Sequence, residues 1–260
     1  MRELRVKVLK NLEVGPQTYL MELEFPFPEE IKPGHFVMLK GWSGLDPMGR
    51  RAFAIADKKE DRISIYYQVV GRGTALMARL KEGDSVEILG PLGNRLFRLD
   101  GQRHLLLGGG IGMPGLSLLA KELKALGKEV FVCYGARSSS LLVMKEWLKE
   151  NAIEHKLFTD DGSEGQRGSV LQALKDFDES WVVHACGPKK MLKALKEMAE
   201  GREVYLSLEA DMACGWGVCL GCVVPSKDGK FLRVCYEGPV FPAEEVMVNS
   251  KAVLKIYHSP

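Results

Sequence analysis

The sequence predicts a multi-domain protein in which an antiparallel β-barrel is followed by an α/β doubly wound parallel sheet and then by a small cysteine-rich segment. Three observations carry this prediction. Apolar and polar residues alternate through the first hundred positions, strand-like runs alternate with helical patterns from about residue 101, and four of six cysteines fall between positions 214 and 235. At 260 residues the chain exceeds the ~100–200 typical of one domain, so two or three compact units are expected.

The barrel is read over residues 1–100. Tyr19, Met21, Leu23 and Phe25 alternate with polar neighbours, as do Ile63, Ile65, Tyr67 and Val69, and Lys32-Pro33-Gly34 and Glu82-Gly83-Asp84 punctuate the runs as turns. One helical stretch interrupts them, Thr74 to Leu80, with Thr74 able to cap its start and Leu76, Met77 and Leu80 on one face.

The doubly wound unit is read over residues 101–208. Its strands are His104–Leu107, Glu129–Tyr134, His155–Thr159, Trp181–Cys186 and Val204–Leu208. The helix Pro114–Leu126 opens on a proline, places Leu116, Leu119, Leu123 and Leu126 at spacings of three and four, and stops at Gly127. Between the first strand and this helix lies Gly108-Gly109-Gly110-Ile111-Gly112-Met113-Pro114-Gly115. A strand, glycine loop and helix start in that order cradle a pyrophosphate, because bare backbone amides approach the anion at the positive end of the helix. The same glycines also suit a plain tight turn, and the acidic residue that usually holds the adenosine ribose is replaced by Tyr134-Gly135-Ala136-Arg137. Cys186-Gly187-Pro188 ends the fourth strand at the sheet's carboxyl edge, where ligands bind in this architecture, although Cys186 equally suits a small buried core position. Asp160 and Asp161 share that edge and are also ordinary turn formers.

Residues 209–260 carry too little apolar periodicity to fold on burial alone, so this segment is expected to fold around a metal. Cys214, Cys219, Cys222 and Cys235 give C-x4-C-x2-C-x12-C, and the first three match the plant-type ferredoxin spacing for a 2Fe-2S cluster. Gly215, Gly217 and Gly221 fit a loop that needs positive φ and open access to cluster sulfurs. A zinc ribbon is the alternative, but it pairs two C-x2-C knuckles and only Cys219 and Cys222 form one. A 2Fe-2S centre passes single electrons, so a flavin is expected to couple it to a two-electron donor.

Composition excludes several classes. With 46% hydrophobic and 27% charged residues the chain reads as an ordinary globular protein. Its 36 basic and 34 acidic residues are interspersed, as in Lys58-Lys59-Glu60-Asp61-Arg62, which argues against a nucleic-acid partner. No 18-residue apolar stretch and no signal-like N-terminus occur, so no membrane span and a cytoplasmic location are expected. In a reducing cytosol the clustered cysteines read as a metal site before disulfides.

Taken together, Gly71-Arg72-Gly73-Thr74, Gly90-Pro91-Leu92-Gly93-Asn94, Gly108 to Gly112, Tyr134-Gly135-Ala136-Arg137, Cys186-Gly187-Pro188, Ser207-Leu208-Glu209, Met212-Ala213-Cys214-Gly215 and Cys235 to Phe241 give the chain its family resemblance. It resembles, over essentially its whole length, the electron-transfer subunits of two-subunit NAD-linked dihydroorotate dehydrogenases, in the ferredoxin-reductase superfamily. The resemblance implies FAD in the barrel, NAD(H) in the middle domain, and a 2Fe-2S cluster on Cys214, Cys219, Cys222 and Cys235. It implies that Gly71, Arg72, Gly73 and Thr74 serve the flavin pyrophosphate, that Arg51, Phe53 and Ala54 serve the flavin, and that Gly108, Gly109, Gly110, Gly112, Cys186, Gly187 and Pro188 serve the nicotinamide dinucleotide. One departure is visible: the superfamily's Arg-x-x-Ser/Thr is Arg51-Ala52-Phe53-Ala54 here, without the hydroxyl.

The same resemblance implies electron flow from an FMN-containing catalytic dihydroorotate dehydrogenase subunit through the cluster and FAD to NAD, in pyrimidine biosynthesis, within a heterotetramer of two of each chain. The three units use the available length, so the proton-abstracting base and substrate pocket are expected on a second polypeptide, and no catalytic side chain is expected here. Trp216, Val218, Leu220 and Phe241 are candidates for the contact, and each equally suits packing against its own domain. Related NAD(P)H-flavin subunits of ferredoxin-NADP transhydrogenase, sulfide dehydrogenase or glutamate synthase are the nearest alternatives, with Arg137 leaving the extra phosphate of NADP open, and a zinc-binding interaction module is the alternative of another class.

Overall fold

The computed structural model of the protein describes residues 1–248. Seven antiparallel strands come first: β1 (Arg2–Gly15), β2 (Thr18–Glu24), β3 (Phe36–Lys40), β4 (Arg51–Ala54), β5 (Asp57–Lys59), β6 (Arg62–Gln68) and β7 (Ser85–Leu92), in the order β4-β3-β7-β1-β2-β6-β5. The long β1 makes the curl. Its first half pairs with β7 and its second with β2, and a register shift between Val8 and Lys10 bends it between the two. β4 thereby comes back against β6 and the sheet closes to a half-barrel. The alternation read from the sequence points Met21, Leu23, Phe25, Ile63, Ile65 and Tyr67 into one core.

The helix between β6 and β7 is α1 (Arg72–Met77), which starts two residues before and ends three residues before the expected Thr74–Leu80. Gly71 occupies the cap position, and Thr74 instead sits in the first turn, where its hydroxyl accepts from the amides of Val70 (3.0 Å) and Gly71 (3.2 Å). At the other end the Asn11 amide donates to the carbonyls of Met77 and Leu80, which stops the helix before Leu80.

A parallel sheet follows: β8 (Arg103–Gly109), α2 (Pro114–Ala125), β9 (Glu129–Ala136), α3 (Lys145–Glu150), β10 (Glu154–Thr159), β11 (Gln166–Arg167), β12 (Val182–Cys186), α4 (Lys189–Met198) and β13 (Val204–Ser207). All five anticipated strands form, within two residues at each end. The order β11-β10-β9-β8-β12-β13 places β8, with its glycine turn, at the centre. Helix α2 buries Leu116, Leu119 and Leu123 against Leu106, Val132 and Tyr134, and Gly127 just past its end takes φ +72.

The last described part holds a small hairpin, β14 (Val223–Pro225) with β15 (Phe231–Arg233), and then β16 (Val240–Pro242). The sequence does not announce β16. It adds to the parallel sheet as an antiparallel edge strand on β13, burying Val240 and Phe241 completely.

Candidate functional site

On the half-barrel, Arg51 on β4 lies beside the start of α1. A Cβ placed on Gly73 would stand 3.0 Å from Arg51 Nε and 3.0 Å from the Trp42 ring, so only a glycine lets the helix start approach so closely. The first-turn amides of Arg72, Gly73 and Thr74 have no intrahelical acceptor, and together with the Arg51 guanidinium they present donors on one side, as a pyrophosphate requires. Arg51 Nη1 donates to the carbonyls of Met48 (3.0 Å), Gly49 (3.1 Å) and Arg50 (3.3 Å), so it also fastens the preceding loop. Phe53 is half-buried and tilts onto Tyr67 at 5.8 Å, and Ala54 is exposed.

At the centre of the parallel sheet, β8 runs into a short 3-10 turn, Gly110–Gly112, before α2. Gly110 adopts φ +53, which favours glycine. Gly112 is needed for space: its Cβ would lie 2.6 Å from the Cys186 carbonyl and the Gly187 nitrogen. Gly108, by contrast, packs against Met113, its Cβ position 2.5 Å from Met113 Sδ, and so shapes the turn from behind. Gly109, Gly110, Gly112, Gly187 and Pro188 then line a cleft of 390 Å³ that continues to Arg137 and Asp160 at the ends of β9 and β10. Asp161 turns away, accepting from the amide and hydroxyl of Ser163. The sequence reading missed Gly168 and Ser169 and gave Glu209 no role beyond the resemblance; all three line the same cleft. Ser169 had a local signal, since its hydroxyl starts the 3-10 stretch Val170–Asp176 by accepting from Leu171 N.

Barrel and cleft meet at Gly115. A Cβ there would be 3.2 Å from Cys186 Sγ and 3.6 Å from Ala54 Cβ, so the end of β4 and the end of β12 face each other across one residue. Ser117 Oγ donating to Ala56 O (2.6 Å) and the Lys121–Asp57 ion pair (2.8 Å) pin α2 to the barrel at this point. Burial, reinforced by Glu209 and opposed by Ser207, pushes the Cys186 thiol up to about 12, so it stays a neutral thiol rather than a nucleophile.

The cysteine loop lies against the barrel. Gly215 at φ +81 presses on Met38 of β3, its Cβ position 2.7 Å from Met38 Cγ, and Met38 pairs with Ala52 in the middle of the β4 motif. Gly217 takes φ +90 against Tyr236, and Arg233 donates to its carbonyl (2.8 Å) while pairing with Glu237. Gly221 does not take a positive φ; Leu220 does, at +57, so the reversal falls one residue earlier than the glycine suggested.

All six cysteines are free thiols. Among the described residues no three Cys, His, Asp or Glu side chains gather round one point as a mononuclear ion requires. Cys222 and Cys235 are buried with sulfurs 3.2 Å apart, while Cys214 is half-buried and Cys219 exposed in the loop before them. A dinuclear cluster takes two thiolates per iron, which the Cys222–Cys235 pair fits for one of the two. Burial works against ionising Cys214, but the amides of Cys219, Trp216 and Val218 and the Cys219 thiol outweigh it and hold the thiol down at about 6. Cys235 is pushed up to about 12 by burial and by Cys222. Trp216, Val218 and Leu220 are exposed beside the cysteines, whereas Phe241 is fully buried beneath Arg95 and is not a contact residue.

A half-barrel abutting a doubly wound sheet, with a cysteine loop docked on the barrel, defines an oxidoreductase of the ferredoxin-reductase kind. A sequence model described as the iron-sulfur cluster binding domain of dihydroorotate dehydrogenase B matches residues 209–247, which decides against the zinc ribbon. The chain is 53% identical, over 95% of its length and 99% of the relative's, to a dihydroorotate dehydrogenase B (NAD(+)) electron transfer subunit homolog of Aquifex aeolicus (strain VF5). It is 40% identical, over 94% and 98%, to the dihydroorotate dehydrogenase B (NAD(+)) electron transfer subunit of Bacillus caldolyticus. The solved structure of an NADH-dependent reduced ferredoxin-NADP oxidoreductase, studied for flavin-based electron bifurcation, superposes with a TM-score of 0.82 at 30% identity, over 93% of this chain and 89% of that one. The chain belongs to the family of electron transfer subunits of NAD-linked dihydroorotate dehydrogenase B. No helix among the described residues is long and apolar enough to cross a membrane.

Proposed function

We propose that this chain relays electrons from the FMN of a catalytic dihydroorotate dehydrogenase subunit, through its own 2Fe-2S cluster and FAD, to NAD, as a step of pyrimidine biosynthesis in the cytoplasm. The observation that carries this is the convergence of three motifs: Ala54, Gly115 and Cys186 meet on one side of β4, and Gly215 with its cysteines meets Met38 beside the same strand. When bound, the flavin exchanges a hydride with nicotinamide and single electrons with the cluster.

The residues divide the work accordingly. Residues 1–100 hold FAD, with Arg51, Phe53 and Ala54 along the flavin and Gly71, Arg72, Gly73 and Thr74 on its pyrophosphate. Residues 101–208 hold NAD(H) with Gly109, Gly110, Gly112, Gly187 and Pro188 lining the cleft, Gly108 supporting the glycine turn, and Cys186 marking its inner end as a neutral thiol that keeps solvent out. Residues 209–260, of which 249–260 lie outside the described part, hold the cluster on Cys214, Cys219, Cys222 and Cys235. Exposed Trp216, Val218 and Leu220 surround the cysteine loop, so this face meets the catalytic partner, in an assembly of two of each chain. The proton-abstracting base for dihydroorotate belongs to that partner.

The test mixes purified chain, NAD and dihydroorotate with and without a candidate catalytic subunit and follows NADH. Turnover only in the mixture is expected; turnover by the chain alone overturns the relay. The structural similarity to the ferredoxin-NADP oxidoreductase supports a second reading, a flavin subunit serving a ferredoxin-linked partner. Co-purification separates the two.

A further inference from the structure

Three of the most exposed large apolar residues among the described residues, Val70 (84%), Leu45 (81%) and Met48 (80%), lie round the start of α1. Val70 immediately precedes Gly71. Leu45 and Met48 belong to the β3–β4 loop, which is held to the same place by separate ties: Asp46 pairs with Arg72 (2.6 Å), and the Met48 carbonyl accepts from Arg51 (3.0 Å). The Trp42 indole donates to Pro47 O (2.8 Å), which folds the loop on itself, and the Trp42 ring lies under Arg51 at 5.4 Å. An ordered loop that spends its polar contacts on holding its own shape while leaving apolar side chains in water is built to be covered.

What covers it follows from its neighbours. The loop adjoins a guanidinium and the free amides of a helix start, so the occupant carries phosphate next to a flat apolar group. Resting on the assignment of the FAD pyrophosphate to Gly71–Thr74, we infer that Leu45, Met48 and Val70 form the platform for the adenosine half of FAD. With Phe53 and Ala54 assigned to the flavin ring, the platform would contact only the part of FAD that FMN lacks. The β3–β4 loop therefore sets the choice of FAD over FMN.

The experiment titrates the full chain, stripped of flavin, with FAD and with FMN, in wild type, Leu45→Ser/Met48→Ser and the apolar-conserving Leu45→Met/Met48→Leu. The serine pair is expected to weaken FAD by about tenfold or more, each tenfold being 1.4 kcal/mol, to leave FMN unchanged, and to erase most of the preference for FAD. The conserving pair keeps wild-type FAD affinity. Unchanged FAD affinity in the serine pair, or equal losses for FAD and FMN, overturns the platform while leaving the flavin site in place. A wild-type chain that binds neither flavin overturns the flavin site itself.

Discussion

Gly112→Ala isolates the step at which the glycine turn touches the Cys186-Gly187 backbone. The new Cβ would lie 2.6 Å from the Cys186 carbonyl carbon and oxygen and from Gly187 N, where ordinary contact begins at 3.4 Å. The two backbones must therefore part by roughly 0.8 Å, in an interior with little free volume. Neither side gives easily, because β8 and β12 are paired through Gly108 and Cys186 just before the contact. Overpacking of this kind costs about 1–3 kcal/mol, which in a chain of this size lowers Tm by roughly 2–12 °C. The displacement opens into the cleft, so NADH-driven flavin reduction is expected to slow by about tenfold to a hundredfold, the cost of misplacing a reactant by up to an ångström. The comparison is Gly127→Ala, at φ +72 with nothing within 4 Å, where only backbone strain of ~1–2 kcal/mol is added and NADH is unaffected. Thermal unfolding and stopped-flow reduction by NADH measure both. A Gly112→Ala protein with wild-type Tm and NADH saturation would refute the close-contact argument, as would a Gly127→Ala protein with slowed reduction.

Cys222→Ser is expected to abolish the visible absorbance of the cluster and most of the roughly two irons per chain while FAD stays bound; zinc instead of iron in the wild-type protein would contradict the dinuclear reading. Ala54→Ser is expected to fold normally and to bind FAD as well or tighter by at most about 0.5–1.5 kcal/mol, whereas Arg51→Ala weakens FAD further because it also releases the carbonyls of residues 48–50. Equal FAD affinity in wild type and Arg51→Ala removes Arg51 from the site. His184, stacked between His104 and Tyr205, is held neutral mainly by burial, helped by His104, and titrates only at about 3. Because the folded value lies below the ordinary 6.5, the unfolded chain takes up protons first, so stability is complete above pH 6.5 and is lost progressively as pH falls towards 3. Urea midpoints against pH should show this slope, flatter in His184→Phe; an identical slope in the variant assigns it elsewhere.

Much of the fold was legible because its signals are local. Period-two alternation in β2 and β6, the leucine spacing of α2 and the proline and glycine at its ends all act within a few residues, and they placed those elements within two residues. The cysteine spacing was legible for the same reason. What failed depends on distant partners. Thr74 looked like a cap because capping residues are recognised by type, but Gly71 took that position and the hydroxyl turned back to Val70 and Gly71. Phe241 stayed open between a partner contact and its own core because three residues beside a proline carry no period, and pairing with β13 decides for the core. The contact of Gly215 with Met38 joins positions far apart in the chain, and only the curl of the barrel brings them together.

The C-terminal segment is stitched at once to the edge of the parallel sheet and to the loop that leaves β7. The Gly238 carbonyl accepts from Asn94 and Arg95, the Pro239 carbonyl accepts from Leu208, and Val240 N–H donates to Arg95 O. Anyone wishing to couple this chain to a foreign electron-transfer partner would be tempted to cut where the composition changes, after residue 208. That cut unzips the edge of β13 and empties the core of Val240 and Phe241 in one stroke. The cluster segment is therefore not a detachable cartridge, and a working chimera has to carry residues 236–243 along, or supply a substitute strand that seals the same edge.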